Sequence, residues 1–199
     1  MIDIEYVLRY WFGVLESDDF YPNTQARKWF RKREETDREI RDLFGGFLMK
    51  AKAFALDRWA ESARGRLALI LILDQFSRNI HRHTSEAFAG DNKAQALCLE
   101  GLGLKHDEQL KPLERVFFYF PLEHAESMTL QDKSVSLFGA LHDQASPALA
   151  KHMAGFFEYA CRHREVIRRF GRFPHRNSQL NRPNTSQENV FLSQPGSSF

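Results

Sequence analysis

The chain has 199 residues, of which 43% are hydrophobic and 27% charged, and 18 of them are phenylalanine. This composition excludes a disordered protein and predicts one globular domain over residues 1–199, with a core that needs no disulfide or metal for stability. A formal net charge of +2 is too small to indicate nucleic-acid binding by itself.

The two cysteines, Cys98 and Cys161, form no CxxC or zinc-ligand spacing and are interpreted as free thiols in a reducing compartment. The longest apolar run, Leu67 to Leu73, is far shorter than a membrane span. The start of the chain lacks the basic and hydrophobic segments of an export signal. We therefore expect a cytoplasmic protein without a membrane partner.

Helical periodicity begins at once, with apolar residues at steps of four, three and four: Ile4, Leu8, Trp11 and Leu15. This spacing predicts an amphipathic helix over residues 4–16 with Asp3 as its N-cap. Residues 24–30 add a short turn. A longer helix is predicted from Thr36 or Asp37, weakened in its middle by Gly45-Gly46. Its inward side chains are Ile40, Phe44, Phe47 and Phe54.

Ser62 precedes a nearly all-apolar helix that extends to about Ile80 and shows no polar face before Asp74, which is typical of a central core helix. The end of this helix carries four polar side chains: Asp74, Gln75, Arg78 and Asn79. Polar groups inside a core must find partners, so these four residues either tie the helix to its neighbours through hydrogen bonds or line a ligand cavity.

Start signals at Thr84 and Asp91 predict the next helix, which stops in the region 101–103. Pro112 suits the first turn of a phenylalanine-rich segment that Pro121 ends or kinks. The sequence thus predicts an irregular backbone directly before His124 and Glu126. Such a backbone would allow this histidine and this carboxylate, two residues apart, to face one point.

The last long helix is predicted from Ser146-Pro147 to Gly171, because its apolar stripe alternates steps of four and three: Leu149, Met153, Phe156, Ala160, His163, Ile167 and Phe170. His163 lies in this stripe and is expected to be buried against Phe156 or Phe170. Thr185 and Glu188 form a capping box for a short helix ending near Ser193. About eight helices with short connections predict an all-α domain of antiparallel hairpins.

Four segments resemble successive blocks of the bacterial family known as domain of unknown function 924: Leu73–Asn79, Phe120–Glu126, Arg169–Asn177 and Pro195–Phe199. The resemblance extends from Trp11-Phe-Gly13 to the last residue. It implies a tetratricopeptide-like, right-handed superhelical array, and it implies no established activity. Three residues depart from the family pattern: Ser77 replaces a usual proline, Ala125 a frequent serine and Asn181 a common glycine. The terminal Phe199 is expected to dock against the body of the protein.

Residues 168–177 interleave four arginines, a histidine and an asparagine with two phenylalanines. Our preferred hypothesis is a binding module in which Arg172, His175 and Arg176 present converging donors to a small anionic molecule or an acidic peptide. Arg169 and Asn177, with the polar end of the central helix, complete this predicted ligand site. The alternative is a structural clasp in which these arginines pair with acids such as Asp74, Glu123 or Glu126.

Two further functions are considered. A small-molecule hydrolase would use His124 or His175 with Glu126 or Asp74 as acid and base. Nucleic-acid binding would use the seven arginines from Arg162 to Arg182 with Phe170 and Phe173 stacking on bases, and it is the least favoured because the net charge is near zero. HExxH, Walker and GxGxxG patterns are absent, and His81 and His83 lack a third ligand, so no cofactor or metal is expected.

Overall fold

The computed structural model describes residues 2–197, in which helices account for 71% and no strand is found, so the predicted all-α class is confirmed. The α-helices are α1 Ile2–Phe12, α2 Asn23–Phe30, α3 Glu34–Lys52, α4 Ala63–Ile70, α5 Ser77–Ile80, α6 Asp91–Gly103, α7 Pro112–Glu123, α8 Met128–Asp143, α9 Ala150–Phe170 and α10 Ser186–Leu192. Short 3-10 turns cover Asp57–Glu61, Ser85–Phe88, Asp107–Gln109 and Pro174–Arg176. The predicted docking of Phe199 lies outside the described residues.

The helices α4 and α5 are the two ends of one continuous central helix whose middle, Leu71–Phe76, is π-helical. Ser62 caps it as predicted, since its Oγ accepts a hydrogen bond from the backbone N–H of Gly65 at 3.2 Å. All side chains from 67 to 73 are 0% exposed, which confirms the central position. The central helix packs against α1, α3, α6 and α7. Single π-helical turns are frequent at functional sites, and this one carries Asp74 and Gln75.

The helices α7, α8 and α9 follow one another through short connections and pack as two hairpins. The sequence pattern did not predict α8, because two of its four buried side chains, Gln131 and Ser134, are polar. The predicted break at Pro121 is wrong, since α7 continues through this proline to Glu123. Burial of the whole last turn of α7 offsets the one backbone hydrogen bond that Pro121 cannot donate.

Other helix ends differ from the predicted ones for local reasons. The helix α1 ends at Phe12 because Gly13 adopts a left-handed φ of 70°. Phe54 was expected inside, but it follows the end of α3 with a φ of 63° and is 67% exposed. The helix α9 begins at Ala150, a few residues later than predicted, and ends as predicted at Gly171, whose φ is 68°.

The end of the described chain agrees with its sequence signals. Thr185 and Glu188 form both hydrogen bonds of the capping box at the start of α10. Asn181 has a φ of 52°, a backbone conformation that suits the glycine common at this position in the resembling family and that asparagine tolerates better than most residues. Within residues 2–197, no helix combines the length and the apolarity needed to cross a bilayer.

Candidate functional site

A cavity of about 770 Å³ lies between α2, the central helix, α7, α9 and the turn at Pro174–Arg176. Its volume is in the range of small-molecule sites, which is about 300–1,000 Å³. The lining residues are Tyr21, Lys28, Trp29, Phe30, Arg31, Lys32, Gln75, Arg78, Asn79, Arg82, His83, Ala87, Phe88, Phe120, Glu123, His124, Lys151, His152, Gly155, Phe156, Tyr159, His163, His175, Arg176 and Gln179.

Asp74 supports the inner part of this cavity from behind. Its carboxylate is fully buried and lies 3.0 Å from Nη1 of Arg78 and 2.8 Å from Nδ1 of His124. The side-chain amide of Gln75 donates a third contact at 2.6 Å. Burial opposes ionisation of this carboxyl, but the charge of Arg78 and the hydrogen bond with His124 hold the pKa of Asp74 well below its usual value. Asp74 is therefore a permanent anion that orients His124.

A second acid, Asp91 at the start of α6, links two cavity arginines. It accepts two hydrogen bonds from Arg78, at 2.9 and 3.0 Å, and lies 3.4 Å from Nη1 of Arg176. Arg176 also donates to the carbonyl of His124 at 3.0 Å, and its guanidinium lies over the rings of Phe88 and Phe173. Burial and the neighbouring Arg78 lower the pKa of Arg176 to about 10, so it remains protonated at neutral pH.

The titratable groups deepest in the cavity are held neutral by burial. Burial lowers the pKa of His124 and His163, and together with the charge of Arg176 it lowers the pKa of His175 to about 3. Burial and the nearby charge of Asp74 raise the pKa of Glu123 well above its usual value. His163 is 4% exposed, which confirms its predicted burial, and its ring lies 5.5 Å from that of Phe173, which is not one of the two predicted partners, Phe156 and Phe170.

The outer part of the cavity is basic and aromatic. Arg31, Lys32 and Lys151 are exposed and therefore lie at its opening, and the described residues place no acid within ion-pair distance of these three. Aromatic rings form much of the wall: Tyr21, Trp29, Phe30, Phe88, Phe120 and Phe156. Among residues 2–197, Glu123 is the single acidic side chain that lines the cavity. The cavity thus combines exposed cations at its opening with aromatic walls.

The arginine-rich block at 168–177 divides between two roles. His175 and Arg176 line the cavity, whereas Arg172 does not, because Glu188 accepts two hydrogen bonds from it at 2.7 and 2.8 Å. Arg169 lies over the ring of Phe170, 4.6 Å from its centroid, outside the cavity. Asn177 is 1% exposed and bonds to Asn184 and Arg182. Of the predicted ligand residues in this block, Arg169, Arg172 and Asn177 therefore do not line the cavity, and of the three predicted converging donors His175 and Arg176 do.

The predicted pair of His124 and Glu126 does not form either. Glu126 accepts hydrogen bonds from both terminal nitrogens of Arg182, at 2.7 and 2.9 Å, and from the backbone N–H of Phe173 at 2.8 Å. The regular helix up to Glu123 leaves these two side chains pointing to different neighbours. His124 is paired with Asp74 instead.

The four polar residues at the end of the central helix occupy two kinds of position. Gln75, Arg78 and Asn79 line the cavity, and Asp74 lies directly behind it. Asn79 donates to Asp37 at 2.7 Å, and the same carboxylate accepts from Arg82 at 2.6 Å. These residues therefore form both the internal network and the cavity wall that the sequence left as alternatives.

The region from Arg162 to Arg182 presents few unpaired cations and no exposed ring of Phe170 or Phe173 for nucleic-acid binding. Five of its arginines are paired with acids: Arg164 with Asp132, Arg168 with Glu165, Arg172 with Glu188, Arg176 with Asp91 and Arg182 with Glu126. Phe173 is 0% exposed, and Phe170 packs against Phe191 with a ring-centroid distance of 5.1 Å. Neither ring is placed to stack on a base.

Sequence reasoning missed the basic residues of α2 and the loop after it, the lysine on α9 and the role of Glu123. The segment 28–33 reads Lys-Trp-Phe-Arg-Lys-Arg, the same mixture of cations and aromatic rings as 168–177. This composition could have identified segment 28–33 as part of the site. No sequence pattern could have identified Glu123, because only the fold brings the end of α7 against His163.

Residues 7–196 match the family described as bacterial protein of unknown function (DUF924), and the chain belongs to this family. A similar solved structure is that of a protein of unknown function, ATU0120, from Agrobacterium tumefaciens. It has a TM-score of 0.81 and 32% identity, over 96% of this chain and 97% of that chain. No curated protein matches the sequence.

Proposed function

We propose that this protein binds a small anionic molecule that carries an apolar or aromatic part, in the cavity between α2, α7 and α9. The observation that carries the proposal is the charge of the lining. Among the described residues, seven cationic side chains and one carboxyl group, that of Glu123, which burial favours in its neutral form, line the cavity; the cations are Lys28, Arg31, Lys32, Arg78, Arg82, Lys151 and Arg176. Four of these cations pair with acids outside the lining, namely Lys28 with Glu39, Arg82 with Asp37, and Arg78 and Arg176 with Asp91, so the excess of positive charge lies on Arg31, Lys32 and Lys151.

The geometry favours a small molecule over an acidic peptide. A cavity volume of about 770 Å³ suits a ligand of metabolite size. The exposed Arg31, Lys32 and Lys151 attract an anion, and the buried Arg176 offers a planar guanidinium for directed hydrogen bonds. Aromatic walls at Trp29, Phe120 and the other rings contribute the apolar contact. In this proposal the helical hairpins are tetratricopeptide-like repeats, and the cavity occupies their concave side.

The test is a titration of the chain, freed of metal ions by dialysis against a chelator, with inorganic phosphate, sulfate, benzoate and phenyl phosphate. Binding is measured by calorimetry and by the shift in melting temperature. We expect the aromatic anions to bind more tightly than the inorganic ones. Lys32 and Lys151 lie on the surface, so Lys32→Gln and Lys151→Gln should weaken anion binding without lowering the melting temperature of the free chain. The control Lys105→Gln, a 74% exposed lysine outside the cavity, should leave binding unchanged.

Arg176→Lys probes the inner site. It keeps the charge but loses the planar pair of donors, so affinity for phosphate or carboxylate should fall about 10-fold. The same substitution at the exposed Arg168, which is paired with Glu165, is the matched control. The proposal fails if none of the four anions shifts the melting temperature at millimolar concentration.

One observation favours the hydrolase as a second candidate function. Asp74 holds Nδ1 of His124 at 2.8 Å, as an orienting carboxylate holds a general base, and His124 lines the cavity. Once a bound molecule is known, His124→Gln should abolish its turnover and leave its affinity largely intact. Loss of affinity without any detectable turnover in the wild type would assign His124 to binding alone.

A further inference from the structure

Three side chains in the inner cavity are of the types that bind metals. Glu123 and His124 end α7, and His163 projects from the middle of α9. Each offers one ligand atom such that the three atoms lie within 4.8 Å of one another. The ligands of a tetrahedral zinc ion lie about 2.1 Å from the metal and therefore about 3.4 Å from one another. Binding one ion therefore requires the three groups to approach one another by up to about 1.4 Å.

The hydrogen bonds of His124 determine which ring nitrogen is available to a metal. Nδ1 lies 2.8 and 3.0 Å from the two carboxylate oxygens of Asp74. Asp74 is ionised and can only accept, so Nδ1 carries the proton and Nε2 carries the lone pair. A histidine that donates its other N–H to a carboxylate is the usual arrangement behind a metal ligand.

The same reasoning applies to His163. Its Nδ1 lies 2.8 Å from the backbone carbonyl of Tyr159, which can only accept, so the proton is again on Nδ1 and the lone pair on Nε2. The same Nδ1 lies 3.2 Å from Oε1 of Glu123. Two histidines from different helices thus each hold Nδ1 against an acceptor, the carboxylate of Asp74 for His124 and the carbonyl of Tyr159 for His163.

Glu123 supplies the third group and a reason to look for a ligand. Its side chain is 4% exposed, and its second oxygen, Oε2, is buried without any hydrogen-bond partner among the described residues. A buried carboxyl oxygen without a partner is costly, and a bound cation would satisfy it. The carboxylates of Asp74 and Asp91 balance the guanidiniums of Arg78 and Arg176, and a cation bound to Glu123 would favour the ionised form of that carboxyl.

We infer that His124, His163 and Glu123 bind a divalent transition-metal ion of the zinc, cobalt or iron(II) class, with each residue supplying one ligand atom. Two imidazoles and one carboxylate suit these ions, and three protein ligands leave a coordination position for a water or a substrate oxygen. Because these residues line the cavity, an anion bound there can occupy that position. The metal site deepens the proposed function, but its own evidence does not depend on anion binding.

The experiment is a titration of the full chain with Co²⁺ after dialysis against a chelator, followed by visible absorption and calorimetry. We expect one ion per chain. Glu123→Gln and His163→Gln should each weaken Co²⁺ binding at least about 10-fold. His142→Gln is the control, because His142 is an exposed histidine on α8 outside the cavity, and it should bind as the wild type does.

X-ray absorption spectroscopy of the wild-type Co²⁺ complex tests the inference even if a variant fails to fold. We expect the spectrum to show two imidazole ligands on the cobalt ion. No Co²⁺ binding by the wild type, one imidazole or none in the spectrum, or unchanged binding in both folded variants would overturn the inference. Phosphate or benzoate binding to the metal-free chain is measured separately. A chain that binds these anions but no Co²⁺ refutes the metal site and leaves the proposed anion cavity intact.

Discussion

Asp91→Asn tests the charge balance on which the cavity depends. The Asp91 carboxylate accepts two hydrogen bonds from Arg78 and faces Arg176 at 3.4 Å, and the side chains are 11, 21 and 7% exposed, respectively. Removing one partner from a buried ion pair costs about 3–5 kcal/mol. Because asparagine keeps the size and one acceptor oxygen, we expect the lower end, about 3 kcal/mol. For a domain of this size that corresponds to a decrease in melting temperature of about 6–12 °C.

The assay is thermal unfolding followed by circular dichroism, with and without phosphate. An anion in the cavity replaces part of the missing charge, so phosphate should stabilise Asp91→Asn more than the wild type. Asp132→Asn is the matched control, since Asp132 pairs with Arg164 at the surface, where such pairs contribute less than about 1 kcal/mol. Equal melting temperatures for Asp91→Asn and the wild type would refute the assignment of Asp91 as the acid that holds the two arginines.

Three further predictions concern stability. Leu71→Ala removes a 0% exposed side chain from the central helix and should destabilise the fold by about 2–5 kcal/mol in denaturant titrations, whereas Leu104→Ala, at a 58% exposed leucine, should have little effect. Gly90→Ala would place a Cβ 2.5 Å from a backbone carbonyl of the π-helical segment; a loss of about 1–3 kcal/mol is expected, and an unchanged unfolding midpoint would contradict it. Hydrogen bonds from Arg172 lower the pKa of Glu188 to about 2, so this carboxylate stabilises the fold above about pH 4.5 and ceases to do so as the pH falls towards 2. Glu188→Gln should therefore lower the melting temperature at pH 7, with a difference from the wild type that shrinks below pH 4.5; a constant difference would argue against the ion pair.

The sequence predicted those features that local pattern controls. The apolar run from 67 to 73 identified the central helix, and Gly171 and the capping box at Thr185 located helix ends. Prediction from the sequence was wrong or incomplete where tertiary packing outweighs a local sequence preference. Pro121 stays inside α7 because its surroundings are packed, and α8 was overlooked because it buries glutamine and serine among its apolar residues.

The candidate site shows the same limit. Residues 168–177 were identified as unusual from their composition, yet composition cannot tell an arginine that faces a cavity from one that a carboxylate engages. Arg172 and Arg176 are four residues apart, and the distinction between them rests on Glu188, which only the fold brings to Arg172. Likewise, the contact of Glu123 with His163 joins residues from α7 and α9 and leaves no trace in either local sequence.

A buried charge outside the cavity, that of Arg66, shows how a structural cluster in this protein satisfies its hydrogen-bonding groups. Arg66 is 4% exposed, and its guanidinium is satisfied by the carbonyls of Ala60 and Leu97 and by the side chains of Glu100 and His106. In the cavity cluster, by contrast, Oε2 of Glu123 and Nε of Arg176 are buried without a partner among the described residues.

A buried charge cluster adds little stability over a well-packed apolar one. A cluster with unsatisfied atoms is worse than an apolar core unless a bound molecule or ion completes it. The difference between a complete cluster at Arg66 and an incomplete one beside the cavity is therefore a physical reason to look for the ligand there.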